Sequence, residues 1–231
     1  MTIHGFNKLT LLDFPGKVAC TVFFGGCNFR CPFCHNGNLV LHPDGEPVVP
    51  EEEVFRVLEK RRGVLDGVCI TGGEPTLQRE LPAFITRIKS MGYLVKLDTN
   101  GYRPEVLKML VKESLVDYVA MDIKAAPSRY PQVCGLEGME ILKIQESIEF
   151  LMEEHVDYEF RTTVMREFHQ KEDFEVIGKW LKGCRRYFLQ GYRESEFVIL
   201  PGFTGYSREQ LERFRTQLLK YIPQVEVRGV E

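Results

Sequence analysis

The chain has 231 residues, 44% of them hydrophobic and 27% charged, so it can bury a core without staples and is neither a disordered nor a fibrous sequence. Its formal net charge of −3 argues against a nucleic-acid partner, and the basic runs Lys60–Arg62 and Arg185–Arg186 read as solvated faces. No apolar stretch approaches the ~20 residues that span a bilayer, and Met1-Thr2-Ile3-His4-Gly5 lacks the opening of a signal peptide, so a cytoplasmic protein with no membrane partner is expected.

Short apolar runs then alternate with amphipathic stretches. Val18–Phe24, β-branched and aromatic, predicts a buried strand that runs into a glycine- and cysteine-rich loop. Pro50–Arg62 predicts a helix, because proline and three glutamates suit its positive N-terminal end and Gly63 stops it. Gly67–Thr71 is the next strand and leads into Gly72-Gly73-Glu74. Leu81, Phe84, Ile85 and Ile88 share one helical face. Leu94–Asp98 predicts a third strand, ending in Asp98-Thr99-Asn100-Gly101, and Val106, Leu107, Leu110 and Val111 mark the helix after it. Asp117–Ile123 is the fourth strand, with Asp122 and Lys124 at its end, before a helix carried by Ile141, Ile144, Ile148 and Leu151. Tyr158–Val164 is the fifth, followed by a helix on Phe174, Ile177 and Leu181 in which Trp180 reads as core. Arg186–Gln190 is the sixth, with Gln190, Tyr192 and Arg193 expected to complete a pocket. Ser207 and Gln210 form a capping box before Leu211, Phe214 and Leu218, and Val225–Arg228 is a short last strand.

Strands alternating with helices predict an α/β fold with a mostly parallel sheet. Six such units are too few to close an eight-stranded barrel, so a partial (βα)6 barrel follows. With no low-complexity linker, residues 1–231 read as one domain. In such folds reactive groups gather at the C-terminal ends of the strands, where Thr71, Asp98, Asp122 and Lys124 fall. Arg161 lies inside an alternating strand and is open to two readings, an inward carboxylate partner or a surface ion pair.

The unusual feature is Cys27-Asn28-Phe29-Arg30-Cys31-Pro32-Phe33-Cys34-His35-Asn36, a C-x3-C-x2-C spacing just after a buried strand. The odd total of seven cysteines argues against a disulfide framework. Thiolates at these intervals can converge on one soft metal centre. Three buried apolar cysteines would need no such glycine- and proline-flanked clustering. Zinc favours paired knuckles or Cys/His sets, and His35, directly after Cys34, is poorly placed to close a tetrahedron. An iron–sulfur cube held by three cysteines leaves one iron open to a ligand. Cys20, Cys69, Cys134 and Cys184 read as structural, with Cys134, before Gly135 in a predicted loop, the best candidate for an exposed thiol.

The cysteine spacing, with an aromatic before the third cysteine, resembles the signature of the radical S-adenosylmethionine superfamily, whose usual fold is the partial (βα)6 barrel. The run Thr10-Leu11-Leu12-Asp13-Phe14-Pro15-Gly16-Lys17, followed by Cys27 to Asn36, further resembles the glycyl-radical-enzyme activases, most of all those of anaerobic ribonucleoside-triphosphate reductase, and Cys34-His35-Asn36 and Asp98-Thr99-Asn100-Gly101 are also typical of the activases. The likeness covers nearly the whole chain and implies the following. Cys27, Cys31 and Cys34 hold one [4Fe–4S] cluster, whose open iron is chelated by the methionine group of S-adenosyl-L-methionine. One electron from a donor such as flavodoxin or ferredoxin breaks the C5′–S bond, and the 5′-deoxyadenosyl radical takes hydrogen from a glycine of the partner enzyme. No catalytic side chain beyond cluster and cofactor is implied.

For cofactor contacts the resemblance implies Phe33 and His35 at the adenine, and Gly72, Gly73 and Glu74 as the motif that receives the methionine amino group. Asp98, Asn100, Asp122, Lys124 and Arg161 would complete the site. Asp98, Thr99 and Asp122 would hold a monovalent cation beside the cofactor carboxylate; read on their own they are equally turn or cap residues. Residues 35–71 hold only Cys69, so a ferredoxin-like insert with a second cluster is not expected. Two further readings stay open: a radical enzyme acting on a small molecule such as a modified nucleobase, and a non-catalytic metal-binding or electron-transfer protein. Short loops after the strands, leaving an open mouth, would favour the macromolecular substrate.

Overall fold

Residues 1–230 are described by a computed structural model of the chain. Eight strands form one sheet: β1 (Ile3–Thr10), β2 (Ala19–Phe24), β3 (Gly67–Gly72), β4 (Leu94–Thr99), β5 (Tyr118–Asp122), β6 (Asp157–Val164), β7 (Tyr187–Gly191) and β8 (Val225–Arg228). They lie side by side in chain order, β1 antiparallel to β2 and every later pair parallel. The helices are α1 (Gly37–Leu41), α2 (Glu51–Lys60), α3 (Leu81–Ser90), α4 (Pro104–Lys112), α5 (Tyr130–Cys134), α6 (Ile141–Met152), α7 (Lys171–Trp180) and α8 (Arg208–Leu218). The six long helices are those that the sequence predicts, α2 from Pro50, its glutamates and Gly63 and the others from the 3.6-residue periodicity. Pro104 opens α4, and the Ser207–Gln210 capping box opens α8.

β2 to β7 and the helices after them are the six predicted units, and among the described residues no helix is long and apolar enough to cross a membrane. β1 was not predicted. It is an edge strand whose middle is exposed or half-buried and whose register breaks twice, so it carries no clean alternation of apolar and polar residues. The short α1 and α5 also escape a periodicity argument, since neither completes two turns.

The two faces of the sheet do different work. Val68, Ile70, Val95, Leu97, Val119, Met121, Phe160 and Leu189 point outward and join the helix faces, such as Leu81, Phe84, Ile85 and Ile88 of α3, in one continuous core. Each fully buried side chain of this size contributes about 1.5–3 kcal/mol. The alternate residues point into the concave side. There the base is closed by a small apolar plug of Phe14, Ala19, Tyr118 and Ala120. The plug explains the Thr10–Lys17 run physically. Thr10 Oγ1 accepts the N–H groups of Leu12 and Asp13 at 3.2 Å, and Asp13 accepts from Thr21 at 2.5 Å, which turns Phe14 inward against Tyr118.

Above the plug the concave face becomes polar. The sheet curls enough that Arg161 of β6 reaches across β5 to Asp98 of β4, at 3.1 Å. The C-terminal strand ends therefore surround one cavity, as the fold class requires.

Candidate cofactor site

The Cys27–Asn36 segment leaves β2 and is clamped on every side by backbone hydrogen bonds. Gly26 N–H donates to Leu39 at 2.7 Å, and Gly26 accepts from Glu74 N–H at 2.8 Å. Arg30 N–H donates to Cys134 at 2.7 Å, and Pro32 accepts from Leu200 N–H at 2.8 Å. The glycine pair after β3 is required by the same packing. A Cβ on Gly72 would lie 2.3 Å from the Phe24 backbone, and one on Gly73 would lie 1.9 Å from the Gly26 carbonyl oxygen. The missing side chains thus let two chain segments touch; the close approach is to the cluster loop as much as to any ligand.

A cavity of about 180 Å³ opens there, lined by Cys27, Cys31 and Cys34 on one side and by the ends of β3 to β6 on the other. Phe33, His35, Gly72, Gly73, Glu74, Asp98, Thr99, Asn100, Asp122, Lys124 and Arg161 all line it, so every residue expected at the cofactor is brought to one place. Thr71 and Thr163 also line it. Of the three residues expected after the sixth strand, Tyr192 packs on the His35 ring at 5.5 Å and the Arg193 carbonyl accepts the His35 Nε2–H at 2.6 Å. None of the three, Gln190 included, lines the cavity itself.

The donor set fits an iron–sulfur cube. Three thiols face one space and no fourth cysteine lines it. Among the described residues no three His, Cys, Asp or Glu side chains converge closely enough to hold a single metal ion. That arrangement suits a polynuclear centre spread among three sulfurs better than one zinc ion. N–H groups already point at two of the sulfurs: Phe29 donates to Cys27 Sγ at 3.3 Å, and the Asn36 backbone donates to Cys34. Such bonds tune a cluster. Burial pushes the Cys27 and Cys31 thiols up to about 12, so each must give up a proton on binding iron, and the Lys124 ammonium works in that direction. A [4Fe–4S] cluster held by Cys27, Cys31 and Cys34 would supply a one-electron reductant to the cavity.

Glu74 is fully inside. Its Oε1 accepts from Thr76 N (3.1 Å), Thr76 Oγ1 (2.6 Å) and Thr99 Oγ1 (2.8 Å), and its Oε2 accepts from Asn100 N (2.7 Å). Burial raises its pKa, while all these donors favour the carboxylate. Its side chain is a rivet between two loops, so only the backbone of the motif is left to face a ligand. Asn100 in turn donates through Nδ2 to Asn28 Oδ1 at 2.8 Å, joining the cluster loop to the same network.

Arg161 takes the inward reading. It bonds Asp122 through Nε at 2.5 Å and Asp98 through its second nitrogen at 3.1 Å, and Lys124 holds the other Asp122 oxygen at 2.9 Å. Burial opposes the Asp98 and Asp122 charges, but Arg161 and its neighbouring lysines hold both carboxyls below the usual range and hold Arg161 and Lys124 firmly protonated. Sequence reasoning missed Lys96, which sits beneath Asp98 and pairs with it. Its place inside a strand hid it; only its inward register, shared with Asp98 two residues on, was available as a signal.

At the expected cation position Thr99 turns its hydroxyl to Glu74, and both aspartates are engaged by side-chain cations. Two expectations need correction. Cys134 is fully buried in α5, its sulfur 3.4 Å from Met139 Sδ, because the Tyr130–Cys134 helix packs under the cluster loop. The connections after the strands are not all short. Residues 192–207 fold back over the cluster loop, where Phe197 O accepts from Gly37 N–H at 3.1 Å.

Comparison with known proteins agrees with this geometry. The model of the Radical SAM superfamily matches residues 21–218. A protein of Methanocaldococcus jannaschii, provisionally named a glycyl-radical enzyme activating enzyme, is 35% identical over 99% of this chain and 96% of its own length. The 7-carboxy-7-deazaguanine synthase of Koribacter versatilis is 32% identical over 71% of this chain and 67% of its own. Among solved structures, SuiB of Streptococcus suis superposes with a TM-score of 0.68 at 14% identity, covering 90% of this chain and 50% of SuiB, a likeness of fold alone.

Proposed function

We propose that this chain, which belongs to the Radical SAM superfamily, is an activating enzyme that makes a glycyl radical on a partner enzyme, with anaerobic ribonucleoside-triphosphate reductase as the partner. Membership implies a [4Fe–4S] cluster and S-adenosyl-L-methionine, and the observation that carries the reading is the single cavity that Cys27, Cys31 and Cys34 share with the strand ends. The likeness over nearly full length to a relative named as such an activase supports the reaction class. The partner rests on the Thr10–Lys17 and Cys27–Asn36 segments, which resemble that activase group.

Bound there, cluster and cofactor supply the one-electron cleavage of the sulfonium. The chain's own residues orient and shield. Lys124 and Arg161 present fixed positive charge to the cofactor carboxylate from the ends of β5 and β6. Gly72 and Gly73 line the cavity and are the positions assigned to the methionine amino group. Phe33 and His35, which line the cavity, would face the adenine, with Tyr192 packed behind His35. Electrons come from a small one-electron donor of the flavodoxin or ferredoxin kind.

The test is anaerobic incubation of reconstituted protein, reductant and S-adenosyl-L-methionine with candidate glycyl-radical enzymes, read by electron paramagnetic resonance. A glycyl doublet on the reductase alone is the expected result. 5′-Deoxyadenosine without a glycyl signal on any partner would favour the second reading, a radical enzyme of small molecules, which the likeness to the deazaguanine synthase supports. No cofactor cleavage at all would leave a metal-binding or electron-transfer protein.

A further inference from the structure

The concave face at the cavity holds a continuous line of charge. Lys96 Nζ touches Asp98 Oδ1, and Asp98 Oδ2 takes Arg161 at 3.1 Å. Arg161 continues to Asp122 Oδ1 at 2.5 Å, and Asp122 Oδ2 takes Lys124 at 2.9 Å. Each of the four carboxylate oxygens therefore already has a cationic N–H partner. Thr99 Oγ1, a further hard oxygen nearby, donates to Glu74 at 2.8 Å and accepts from Gly101 N–H at 3.1 Å. Glu74, the remaining carboxylate at the cavity, is saturated by Thr76, Thr99 and Asn100.

The three cations are not equivalent. Arg161 and Lys124 line the cavity and face a ligand, whereas Lys96 does not line it. The Lys96 side chain is 3% exposed and its ammonium has the Cys69 sulfur at 3.8 Å as its other neighbour. A buried ammonium is costly unless a specific partner needs it. When a ligand carboxylate competes for Arg161, Asp98 would be left as an uncompensated buried anion, and Lys96 is the group placed to keep it neutral.

We propose that Lys96 is a built-in counter-ion that takes the place of a monovalent metal ion, so that this chain binds its cofactor without sodium or potassium. The proposal deepens the reading of the cavity as the S-adenosyl-L-methionine site and rests on it. A fixed ammonium on a strand is pre-positioned and needs no ion capture, and the carboxylate oxygens that would coordinate a metal are spent on it and on Arg161.

The test compares cluster-reconstituted wild type with Lys96→Met and Lys96→Arg in sodium, potassium and choline chloride at equal ionic strength. Wild type should bind S-adenosyl-L-methionine with a Kd that differs less than about twofold among the three salts. Lys96→Met should bind about tenfold more weakly in choline and recover in sodium or potassium. Lys96→Arg should stay independent of the salt cation. Without S-adenosyl-L-methionine, the melting temperature of Lys96→Met should rise by about 3 °C or more from choline to an alkali salt, and that of wild type should not. The proposal is overturned if wild type itself needs an alkali ion for binding. It is also overturned if Lys96→Met is equally weak, and equally unstable, in all three salts. Should Lys96→Met fail to fold, the wild-type salt comparison decides. Should no variant bind S-adenosyl-L-methionine in any salt, the reading of the cavity fails, while the melting comparison still judges Lys96.

Discussion

Glu74 Oε2 accepts the backbone N–H of Asn100 at 2.7 Å, so one buried carboxylate ties the loop after β3 to the loop after β4. Through the Asn100 amide, which donates to Asn28 at 2.8 Å, the tie extends to the cluster loop. Three segments distant in sequence are thus fixed to each other by one side chain and its donors.

Glu74→Ala should therefore destabilise the protein by at least about 3 kcal/mol, because it strands the Thr76, Thr99 and Asn100 donors in the interior. Glu74→Gln, which keeps one acceptor oxygen, should lose clearly less. Denaturant unfolding measures both. An alanine variant within about 1 kcal/mol of wild type would show that the network is not what joins these loops.

The cysteines should separate into two groups. Cys31→Ala should abolish the iron and acid-labile sulfide of reconstituted protein and with them 5′-deoxyadenosine formation, since Cys31 lines the cavity. Cys134→Ala, whose sulfur packs on Met139, should cost about 1–2 kcal/mol of stability yet keep full iron content. Equal iron loss in both variants would refute this division.

Phe14 is the stopper at the base of the barrel, 6.1 Å from the Tyr118 ring and 3% exposed. Phe14→Ala should cost about 3–5 kcal/mol, as for other large-to-small changes in a packed core. Because the cavity lies at the opposite end of the strands, S-adenosyl-L-methionine affinity measured well below the melting temperature should be unchanged. A selective loss of affinity with normal stability would point instead to a role at the cofactor.

His169 makes the fold sensitive to mild acid. It is fully buried, its Nε2–H donates to the Lys124 carbonyl at 2.8 Å, and its Nδ1 accepts from Met165 N–H at 3.3 Å, so the neutral ring satisfies both partners. Burial depresses its pKa below the ordinary 6.5. The unfolded chain therefore binds the proton first as pH falls. The stability this ring contributes is complete above 6.5 and declines below it, by at most about 1.4 kcal/mol per pH unit, until the folded ring also protonates. Unfolding free energies between pH 7.5 and 5 should show this loss in wild type and not in His169→Gln (roughly the range over which a histidine titrates). Parallel curves for the two proteins would contradict it.

Much of this molecule could be read before any coordinates. The six parallel units follow from period, because an apolar residue at every second position or on every helical turn states locally which face is buried. The faces of α3, α4 and α6 and the cap of α8 are of that kind. So is the cluster segment, since Cys27, Cys31 and Cys34 lie within one loop and their spacing alone brings them near each other. β1, by contrast, is a strand only because β2 offers it an edge; its own residues show no period.

What the amino-acid order determined, then, was the rhythm of the elements and the cysteine loop, both set by spacings of a few residues. Only the curled sheet decided that Lys96, Asp98, Asp122 and Arg161 form one line of charge, that Gly72 and Gly73 are pressed against Phe24 and Gly26, and that Cys134 is sealed beneath the loop. The physical reason is register. Side chains on neighbouring strands meet only when pairing aligns them, and a slip of one residue would turn each of these charges into the helix layer. Such contacts belong to the pairing of strands and cannot be found in any one of them.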